Sequence, residues 1–370
     1  MLIGPLHRRG DTVSARLVTD GGATTISYVV PSDVVVAETI DPVFAAALLP
    51  AMKRGDDLCL DGPVSPALLR QSELVQDIFV TWDRALHPRS PWYRRIEVTA
   101  PDLTPSELPT GDDRGAACFF TGGVDSFHSV LAHRDDLAAL VYVWGFDIDA
   151  DDHPRQAMVR RHLRAAAEEL GLPLIEVTTD VRTVMDRLSG IPWIDHHGAA
   201  LASVALLLAP TFSRCYLPAT YSYAQLTLLG SHPLLDPLWS NEHLTVVHDG
   251  ADASRLEKVR AIASNEVARR HLRVCWENRD DAYNCGRCEK CLRTAVAARV
   301  AGYGGAFELL PEPSTLDVAR CRLHGPSLGW FECRDELAWS KRNPRLRWAI
   351  QLALARRQVG ETRESMRRLR

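Results

Sequence analysis

The stretch that decides the fold is CFFTGGVDSFHSVLAHR, residues 118–134. A short apolar run ends at Phe120, adjacent glycines follow at positions 122 and 123, and helical apolar spacing begins after Asp125 and Ser126. Because glycine lacks a Cβ atom, the backbone there can take a positive φ and come close to a ligand. The free N–H groups and the dipole of a helix start favour an anion at the same point. The stretch therefore predicts a strand, an anion-binding turn and a helix.

The chain after this stretch alternates between strand and helix patterns. Strands are predicted at residues 138–146, 172–179, 213–221 and 244–250, and helices at residues 154–171, 198–210 and 253–270. Such alternation predicts an α/β fold with a mostly parallel sheet and helices on both faces. Ligands bind these sheets at the carboxyl ends of the strands. Gly122, residues 144–147 and residues 219–223 fall at such ends.

The chain before this stretch has a different pattern. Residues 12–18 and 24–30 alternate like strands, and residues 65–83 have helical spacing behind a Ser-Pro start. A polar segment rich in Pro and Gly, residues 100–115, is suited to a linker. We therefore predict four parts: a small α+β domain (1–112), an α/β domain (113–270), a cysteine-rich subdomain (271–305) and a C-terminal region with a basic helix (306–370).

The composition fits a globular protein in a reducing compartment. Of the 370 residues, 46% are hydrophobic and 24% charged, and no apolar run approaches the roughly 18 residues that a membrane span needs. The first residues, MLIGPLHRRGDTVSARL, lack the order of a signal peptide. Nine cysteines without an export signal indicate reduced thiols or metal ligands. We expect a cytoplasmic protein with no membrane partner.

Charge is concentrated at the C-terminus. Residues 338–370 contain ten Lys or Arg and two acids, a balance of +8, so the net charge of −4 leaves −12 for the remainder. This basic segment can contact RNA, another acidic partner or the acidic body of the protein itself. An ordinary solvated helix is the simpler interpretation.

The side chains of the glycine turn add to the anion hypothesis. Thr121 and Ser126 supply hydroxyl donors, whereas the Asp125 carboxylate is unfavourable beside a phosphate unless a cation lies between them. Asp125 is therefore expected either to bind Mg²⁺ or to cap the helix. The spacing matches neither G-x-x-x-x-G-K-[ST] nor G-x-G-x-x-G. A tight turn without a ligand remains the alternative.

Four cysteines form a second motif. Cys275, Cys285, Cys288 and Cys291 have the spacing C-x9-C-x2-C-x2-C. Four thiolates suit a closed tetrahedral Zn²⁺ site, and the cationic side chains of Arg287, Lys290 and Arg293 would offset its negative charge. An iron–sulfur cluster uses the same ligands and stays the alternative.

The turn TGGVDS resembles the S-G-G-x-D-S signature of the PP-loop ATP pyrophosphatases, with Thr121 in place of the first serine. The resemblance implies the α/β fold of that superfamily and the cofactors ATP and Mg²⁺. It implies that Thr121, Gly122, Gly123, Val124, Asp125 and Ser126 hold the β- and γ-phosphates. The adenosine would then lie against Trp144 and Gly145, and Asp147 would bind ribose or magnesium.

With the cysteine array, the layout is similar to the 7-cyano-7-deazaguanine synthase family, which converts a carboxylate to a nitrile with ATP and ammonia. The resemblance covers roughly residues 115–300, and only the two motifs match in detail. About 115 residues precede the turn here, and a basic extension follows the cysteines. These departures imply a different acceptor, such as a modified base or a natural-product intermediate.

The implied activity is an AMP-forming ligase that adenylates a carboxylate or amide oxygen for nitrogen transfer. Asp125, Ser126 and Lys258 are the expected catalytic residues, and either Arg255 or Lys258 would neutralise phosphate charge in the transition state. Two alternatives stay open. One is a PP-loop enzyme of RNA modification or sulfur transfer, and the other is a non-catalytic nucleotide-binding component of a larger assembly.

Several other polar residues are weaker candidates. His196 and His197 precede a buried helix, where a histidine acts as a general base or simply packs. Three residues between two strands are candidates for the acceptor pocket: Ser231, His232 and Asp236. Cys118 and Cys215 lie in apolar settings typical of core cysteines, which ranks sulfur transfer below amide or nitrile formation.

Overall fold

The structure is a computed structural model that describes residues 1–103, 114–148, 152–279, 281–323 and 327–368. Within these ranges eleven strands belong to one sheet: β1 Leu2–Ile3, β2 His7–Arg9, β3 Thr12–Thr19, β4 Gly22–Val29, β5 Leu58–Leu60, β6 Val98–Thr99, β7 Ala116–Phe119, β8 Leu137–Trp144, β9 Leu174–Thr179, β10 Arg214–Pro218 and β11 Thr245–Asp249.

Twelve α-helices accompany the strands in the described part of the chain: α1 Asp41–Arg54, α2 Pro66–Leu86, α3 Val124–Ala132, α4 His153–Leu170, α5 Val181–Ser189, α6 Trp193–Leu207, α7 Arg255–Ala263, α8 Glu266–His271, α9 Glu289–Val300, α10 Thr315–Arg320, α11 Leu328–Ser340 and α12 Pro344–Arg368. None of these helices is long and apolar enough to cross a membrane.

Five parallel strands form the centre of the sheet. Their order is β11-β10-β7-β8-β9, so β8 and β9 lie on one side of β7, and β10 and β11 on the other. The α/β fold and the mostly parallel sheet that the sequence predicts are confirmed. The strands after β7 are added first on one side of it and, from β10 onward, on the other side. The topological switch point of the sheet therefore lies between β7 and β10. A crevice opens at such a point beyond the carboxyl ends of the strands.

The N-terminal strands continue the same sheet. β4 pairs antiparallel with β9, Tyr28 opposite Thr179, and β3, β1, β5 and β6 extend the sheet from there. Asp180 accepts hydrogen bonds from the N–H and the hydroxyl of Ser27 at 2.8 and 2.9 Å. The predicted domain boundary and most of the linker fall at residues 104–113, outside the described residues. The division into domains stays a prediction, while the sheet runs across it.

Two apolar cores cover the two faces of the sheet. Along β7 the side chains alternate, as the pleat requires. Ala117 and Phe119 face a core built from the N-terminal residues, α1, α5 and α6, and Ala116 and Cys118 face a core built from α3, α4, α7 and α9. Helices therefore cover both faces of the sheet, as the sequence predicts. The first core contains residues from both sides of the predicted domain boundary.

Local sequence signals set most helix ends. The Ser65 hydroxyl caps α2 by accepting the Leu68 N–H at 3.0 Å, and Gly171 closes α4 with a φ of +63°. The single helix predicted over residues 253–270 is instead two helices, α7 and α8. They separate because the Asn265 side chain accepts the Ala268 N–H at 3.0 Å and starts a new helix.

Candidate functional site

The glycine loop joins β7 to α3 at the crevice. Gly122 has a φ of +71°, and Gly123 precedes the first helical residue. The buried Ser126 hydroxyl accepts the N–H groups of Thr121 and Gly123 at 3.3 and 3.1 Å and donates to the Gly123 carbonyl at 3.1 Å. Ser126 therefore holds the loop from inside, whereas Thr121 lines the cavity beyond it. A phosphate contact of Ser126 stays a prediction.

Two cations hold the Asp125 carboxylate. Arg255 Nη2 lies 2.9 Å from Oδ2, and Lys258 Nζ lies 3.2 Å from Oδ1. Burial raises the pKa of Asp125, but the charges of Arg255 and Lys258 outweigh it and bring the pKa below its ordinary value. The carboxylate that seemed to require a metal beside a phosphate is thus neutralised by the protein's own side chains. A magnesium ion on Asp125 is not needed to explain it.

Helix α7 carries both cations, but only Arg255 lines the cavity in front of the loop, whereas Lys258, an expected catalytic residue, is buried behind Asp125. Ser254 and Glu257 form a capping box that starts the helix, with the Glu257 N–H donating to the Ser254 hydroxyl at 3.3 Å. One turn apart, Lys258 donates to the Ala219 carbonyl at 2.6 Å and Arg255 donates to the Thr220 carbonyl at 3.4 Å. These bonds fix α7 to the end of β10, across the switch point from the glycine loop.

A cavity of about 500 Å³ lies in front of the loop. Thr121, Gly123, Val124 and Asp125 form one wall. Five cationic residues line it in the described structure: Arg182, Arg255, Arg273, Lys290 and Arg293. Only Asp125 and Asp147 oppose them, which leaves a formal balance of +3 in a protein of net charge −4. The cavity is therefore suited to a polyanion.

The end of β8 forms another part of the site. The Trp144 side chain is buried, donates from Nε1 to Glu176 at 2.8 Å and stacks under Arg160. Gly145 has a φ of +97°, and a Cβ atom there would lie 2.2 Å from the Thr179 carbonyl oxygen. Asp147 is exposed and lines the cavity. Only Asp147 of these three offers a side chain to a ligand, and an adenine contact at Trp144 and Gly145 stays a prediction.

The four cysteines converge as the spacing predicts. The ligand atoms of Cys275, Cys285, Cys288 and Cys291 all lie within 4.8 Å of one another. Sulfurs at tetrahedral corners about 2.3 Å from an ion are about 3.8 Å apart. The Cys288 N–H donates to Cys285 Sγ at 3.3 Å and the Cys291 N–H to Cys288 Sγ at 3.4 Å, which stabilises thiolates. The donor set and its geometry fit a metal ion.

The cysteine cluster is fastened directly to the glycine loop. The Arg273 N–H, two residues before Cys275, donates to the Gly122 carbonyl at 2.8 Å. The Asn284 side chain accepts the N–H of Cys275 at 3.2 Å and donates to the Leu272 carbonyl at 2.8 Å. An ordered cluster therefore supports the back of the loop, and Cys275 also lines the cavity.

The remaining cations on this wall come from α9. Lys290 lines the cavity, and protein surrounds its side chain. The loss of solvent around the ammonium group lowers the pKa of Lys290, and the charges of Arg293 and Arg255 lower it further. Arg293 pairs with Glu289 at 3.3 Å. The sequence placed Lys290 and Arg293 beside the cysteine cluster, and in the structure both also line the cavity.

The two histidines of α6 differ in their surroundings. His196 is buried, and its Nε2 contacts the Ala46 carbonyl of α1 at 2.8 Å. Burial lowers the pKa of His196 to about 4, so it is a packing residue that binds α6 to α1. Burial also lowers the pKa of His197, whose Nδ1 contacts the Ile194 carbonyl at 3.1 Å. Neither ring lines the cavity in the described structure.

The residues predicted for an acceptor pocket form a buried cluster. Asp236 is fully buried and accepts the Ser231 hydroxyl at 2.7 Å. Its neighbour is His248 of β11, whose Nδ1 lies 2.7 Å from the same carboxylate. Ser231 and His232 line a small cavity next to the larger one. The sequence missed His248, although it lies at the carboxyl end of a strand, where ligands bind.

Further cavity residues escaped the sequence analysis, among them Arg182, Trp193 and Arg273. Arg182 follows β9 and stacks on Trp193, 4.6 Å from the ring centroid, while Arg273 precedes the first cysteine. Arg182 and Arg273 lie near strand ends or motifs that the sequence did reveal.

Cys118 and Cys215 are buried in the two cores, and burial raises the pKa of both thiols. Such thiols are poor nucleophiles.

No protein family, no curated protein and no solved structure was found to match this chain.

Proposed function

We propose that this chain is an ATP pyrophosphatase of the PP-loop type, which binds ATP in the 500 Å³ cavity. It transfers AMP to a carboxylate or amide oxygen of an acceptor, releases pyrophosphate and then exchanges AMP for nitrogen. The observation that carries the proposal is the cavity itself. A glycine loop at a helix start, five cations and only two carboxylates meet at the switch point of a parallel sheet.

The positions of the charged side chains support one orientation of the nucleotide in the cavity. The terminal phosphates lie on the loop at Thr121 and Gly123, where the N-terminus of α3 lines the cavity with Val124 and Asp125. Arg255 reaches the bond between the α- and β-phosphates, because Asp125 holds it at the loop. The adenosine extends toward Asp147 and Trp193. The strand order supports this site, because it places β7, which leads into the glycine loop, at the centre of the five parallel strands.

Positioning and charge neutralisation supply the catalysis. An acceptor oxygen attacks the α-phosphorus, and the leaving pyrophosphate is stabilised by Arg255, whereas the buried Lys258 acts on it only through Asp125. Asp125 keeps those two side chains in place. Asp147 is the cavity carboxylate suited to the Mg²⁺ that accompanies ATP.

The cysteine cluster is proposed to hold a structural Zn²⁺. Four thiolates complete the tetrahedral shell of the ion and leave no position for a substrate. Its role is to stabilise the segment that carries Arg273 to the glycine loop. An iron–sulfur cluster is the alternative occupant, and metal analysis of the purified protein separates the two.

Binding of the non-hydrolysable analogue α,β-methylene-ATP tests the site without knowledge of the acceptor. Calorimetry should give one site per chain. Arg255→Gln and Lys290→Gln should each weaken binding about 10- to 100-fold, because each removes a charge-assisted hydrogen bond. Arg260→Gln is the matched control, because Arg260 lies on the same helix α7 but outside the cavity. Equal affinity of all three variants and the wild type would exclude the proposed site.

A second candidate function is RNA modification, which a neighbouring cavity favours. This cavity of about 900 Å³ is lined by four arginines and three carboxylates and shares Trp276 with the nucleotide cavity. The arginines are Arg279, Arg287, Arg320 and Arg322, and the carboxylates are Glu277, Glu289 and Asp317. Trp276 is 53% exposed. Arginines beside an exposed aromatic ring suit single-stranded nucleic acid, whose phosphates and bases they bind. The acceptor would then be a base within a strand.

Binding of a labelled single-stranded RNA at several salt concentrations tests this candidate. The double variant Arg320→Ala/Arg322→Ala should weaken binding and reduce its salt dependence, because it removes two phosphate contacts. Arg16→Ala, an exposed arginine on β3 outside both cavities, is the control. Replacement of the exposed Lys341 and Arg342 by glutamine tests the basic segment separately, because deletion of residues 338–370 would also remove the buried Leu346 and Ile350. RNA binding that is absent, or equal in the double variant, excludes this function.

A further inference from the structure

An apolar cavity is enclosed by the end of α2, the start of α6 and two loops. Its volume is about 350 Å³, and the loops contribute residues 92–93 and 228–230. Cavities that bind small molecules begin at about 300 Å³. In the described part of the chain, no residue lines both this cavity and the nucleotide cavity, so the two are separate spaces.

Hydrogen bonds fix α2, residues 92–93 and α6 relative to one another. The Asp83 carboxylate of α2 accepts the N–H groups of Trp92 and Tyr93 at 2.6 and 2.9 Å. The Tyr93 hydroxyl donates to Asp195 Oδ2 at the start of α6 at 2.7 Å. The cavity is therefore built into the fold, and a ligand does not have to order its walls.

Aromatic and aliphatic side chains make up most of the lining, and several of them are exposed. Four lining side chains are aromatic rings: Phe79, Trp82, Trp92 and Tyr93. Four large apolar side chains of the lining are at least 38% exposed: Leu86, Trp92, Ile194 and Leu228. Exposed apolar side chains are common singly, but a group of them around one cavity indicates a binding site.

The charge of this cavity is opposite to that of the nucleotide cavity. Asp83 and Asp195 line it, and no Lys or Arg does so among the described residues. Asp83 is satisfied, because it accepts two backbone N–H groups and contacts Nδ1 of His87 at 2.8 Å. Asp195 accepts one neutral hydroxyl and forms no ion pair with any residue that the structure describes. Lys53 lies 4.5 Å from the Trp92 ring centroid but does not line the cavity.

We propose that this cavity binds a small organic cation with an aromatic or aliphatic body, and that Asp195 holds its cationic group. The apolar walls bury the body of such a ligand, and aromatic rings also attract a cation. A neutral ligand would leave the charge of Asp195 without a counter-charge, and an anion would be repelled by both carboxylates. The site is separate from the proposed enzymatic activity, and the inference does not depend on that activity.

The contacts of Asp195 leave it free to accept from a ligand. Burial raises the pKa of Tyr93, and the hydrogen bond and charge of Asp195 raise it further, so the Tyr93 hydroxyl stays a donor. It occupies Oδ2 of Asp195, and no described residue donates to Oδ1. An ammonium group that donates to this carboxylate forms a charge-assisted hydrogen bond, which is about twice as strong as a neutral one.

Three probes with one ring system test the charge preference. Tryptamine carries an ammonium group on a two-carbon chain, indole-3-propionate carries a carboxylate on the same chain, and indole carries neither. Calorimetry should show one tryptamine site per chain, an affinity at least about 10-fold above that of indole, and no binding of indole-3-propionate. Asp195→Asn keeps an acceptor for Tyr93 and should weaken tryptamine about 10-fold without changing indole. Asp186→Asn, an exposed carboxylate of α5 outside the cavity, is the matched control and should change neither.

NMR of the wild-type chain locates the probe and covers the case in which the variant does not fold. With ¹⁵N-labelled tryptophan, tryptamine should shift the indole N–H signals of Trp82 and Trp92 but not that of Trp276, which lines the nucleotide cavity. Saturating α,β-methylene-ATP should not displace it. No binding of tryptamine, equal binding of indole-3-propionate, or shifts confined to other tryptophans would overturn the proposal. Unchanged tryptamine affinity in Asp195→Asn would overturn the role of that carboxylate.

Discussion

Residues of one type have opposite roles in this chain, and their contacts separate them. His196 is buried against the Ala46 carbonyl, whereas His248 contacts the Asp236 carboxylate, and its Nε2 has no hydrogen-bond partner among the residues that the structure describes. Asp125 pairs with two cations, whereas Asp147 is exposed in the cavity. The sequence analysis suggested magnesium binding for both aspartates, and it missed His248. The residue scale is therefore where the structure adds most.

Burial of His196 makes stability depend on pH. Its pKa is about 4 in the folded chain, against about 6.5 when unfolded. Between these values the unfolded chain binds a proton that the folded chain does not, so stability falls as the pH falls. The loss from pH 7 to 4 should be about 3 kcal/mol greater in the wild type than in His196→Gln. Urea unfolding at both pH values measures it, and identical losses in both proteins would contradict this account.

At the scale of elements, the ends of strands and the starts of helices build the site. The glycine loop, the end of β8, the start of α7 and the cysteine segment each contribute one wall. Two features fix these walls relative to one another. One is the close packing of Gly145 against β9, and the other is the hydrogen bond from Arg273 to Gly122. Both can be disturbed separately.

Gly145→Ala should destabilise the chain strongly. The added Cβ atom would lie 2.2 Å from the Thr179 carbonyl oxygen at a φ of +97°, so both strain and overpacking act. We expect a loss of about 2–5 kcal/mol in the free energy of unfolding. Gly190→Ala is the control, because Gly190 also has a positive φ, +62°, but no atom within 4 Å of the Cβ position, so about 1 kcal/mol is expected. Equal losses would show that β8 and β9 do not approach so closely.

Loss of the metal should weaken nucleotide binding. Cys285→Ser removes one ligand of the cluster, and the segment that holds Gly122 through Arg273 should loosen. The metal content should fall below one ion per chain, and the affinity for α,β-methylene-ATP should fall with it. Cys59→Ser, an exposed cysteine of β5, should leave both unchanged. A variant that loses its ion but keeps full affinity would contradict the coupling.

At the scale of the whole molecule, the N-terminal strands and the parallel strands share one sheet and one core. α1 packs on α6, and the buried hydroxyls of Tyr28 and Ser203 lie 2.6 Å apart. Without residues 1–103, the face of the sheet that carries Phe119 and α6 would be exposed to water. The N-terminal residues therefore complete the core on this face of the parallel strands.

Calorimetry should consequently show one cooperative unfolding transition that includes the N-terminal residues. A fragment of residues 114–370 should be aggregation-prone and lack fixed tertiary structure, because an apolar core surface loses its cover. A soluble fragment with native near-UV circular dichroism, or two independent transitions in the full chain, would contradict this. In that case the four-part division that the sequence suggests would hold.

Sequence could predict what depends on local patterns. Strand and helix periodicity predicted the parallel strands and most of their helices, and the cysteine spacing predicted a cluster. The pairing of β4 with β9 could not be predicted, because it joins residues about 150 positions apart without a local signal. The same holds for Arg182 and Arg273, which reach the cavity only through the fold. The parts of the fold and of the site that could not be predicted depend on contacts between residues far apart in the sequence.

The central claim is that ATP is cleaved between its α- and β-phosphates. The most direct measurement is the fate of ATP labelled at the α-phosphate, incubated with the purified chain, Mg²⁺, ammonium chloride and a small-molecule cell extract. The account predicts labelled AMP with an equal amount of pyrophosphate, and loss of both in Arg255→Gln. Labelled ADP with inorganic phosphate as the only products would contradict it.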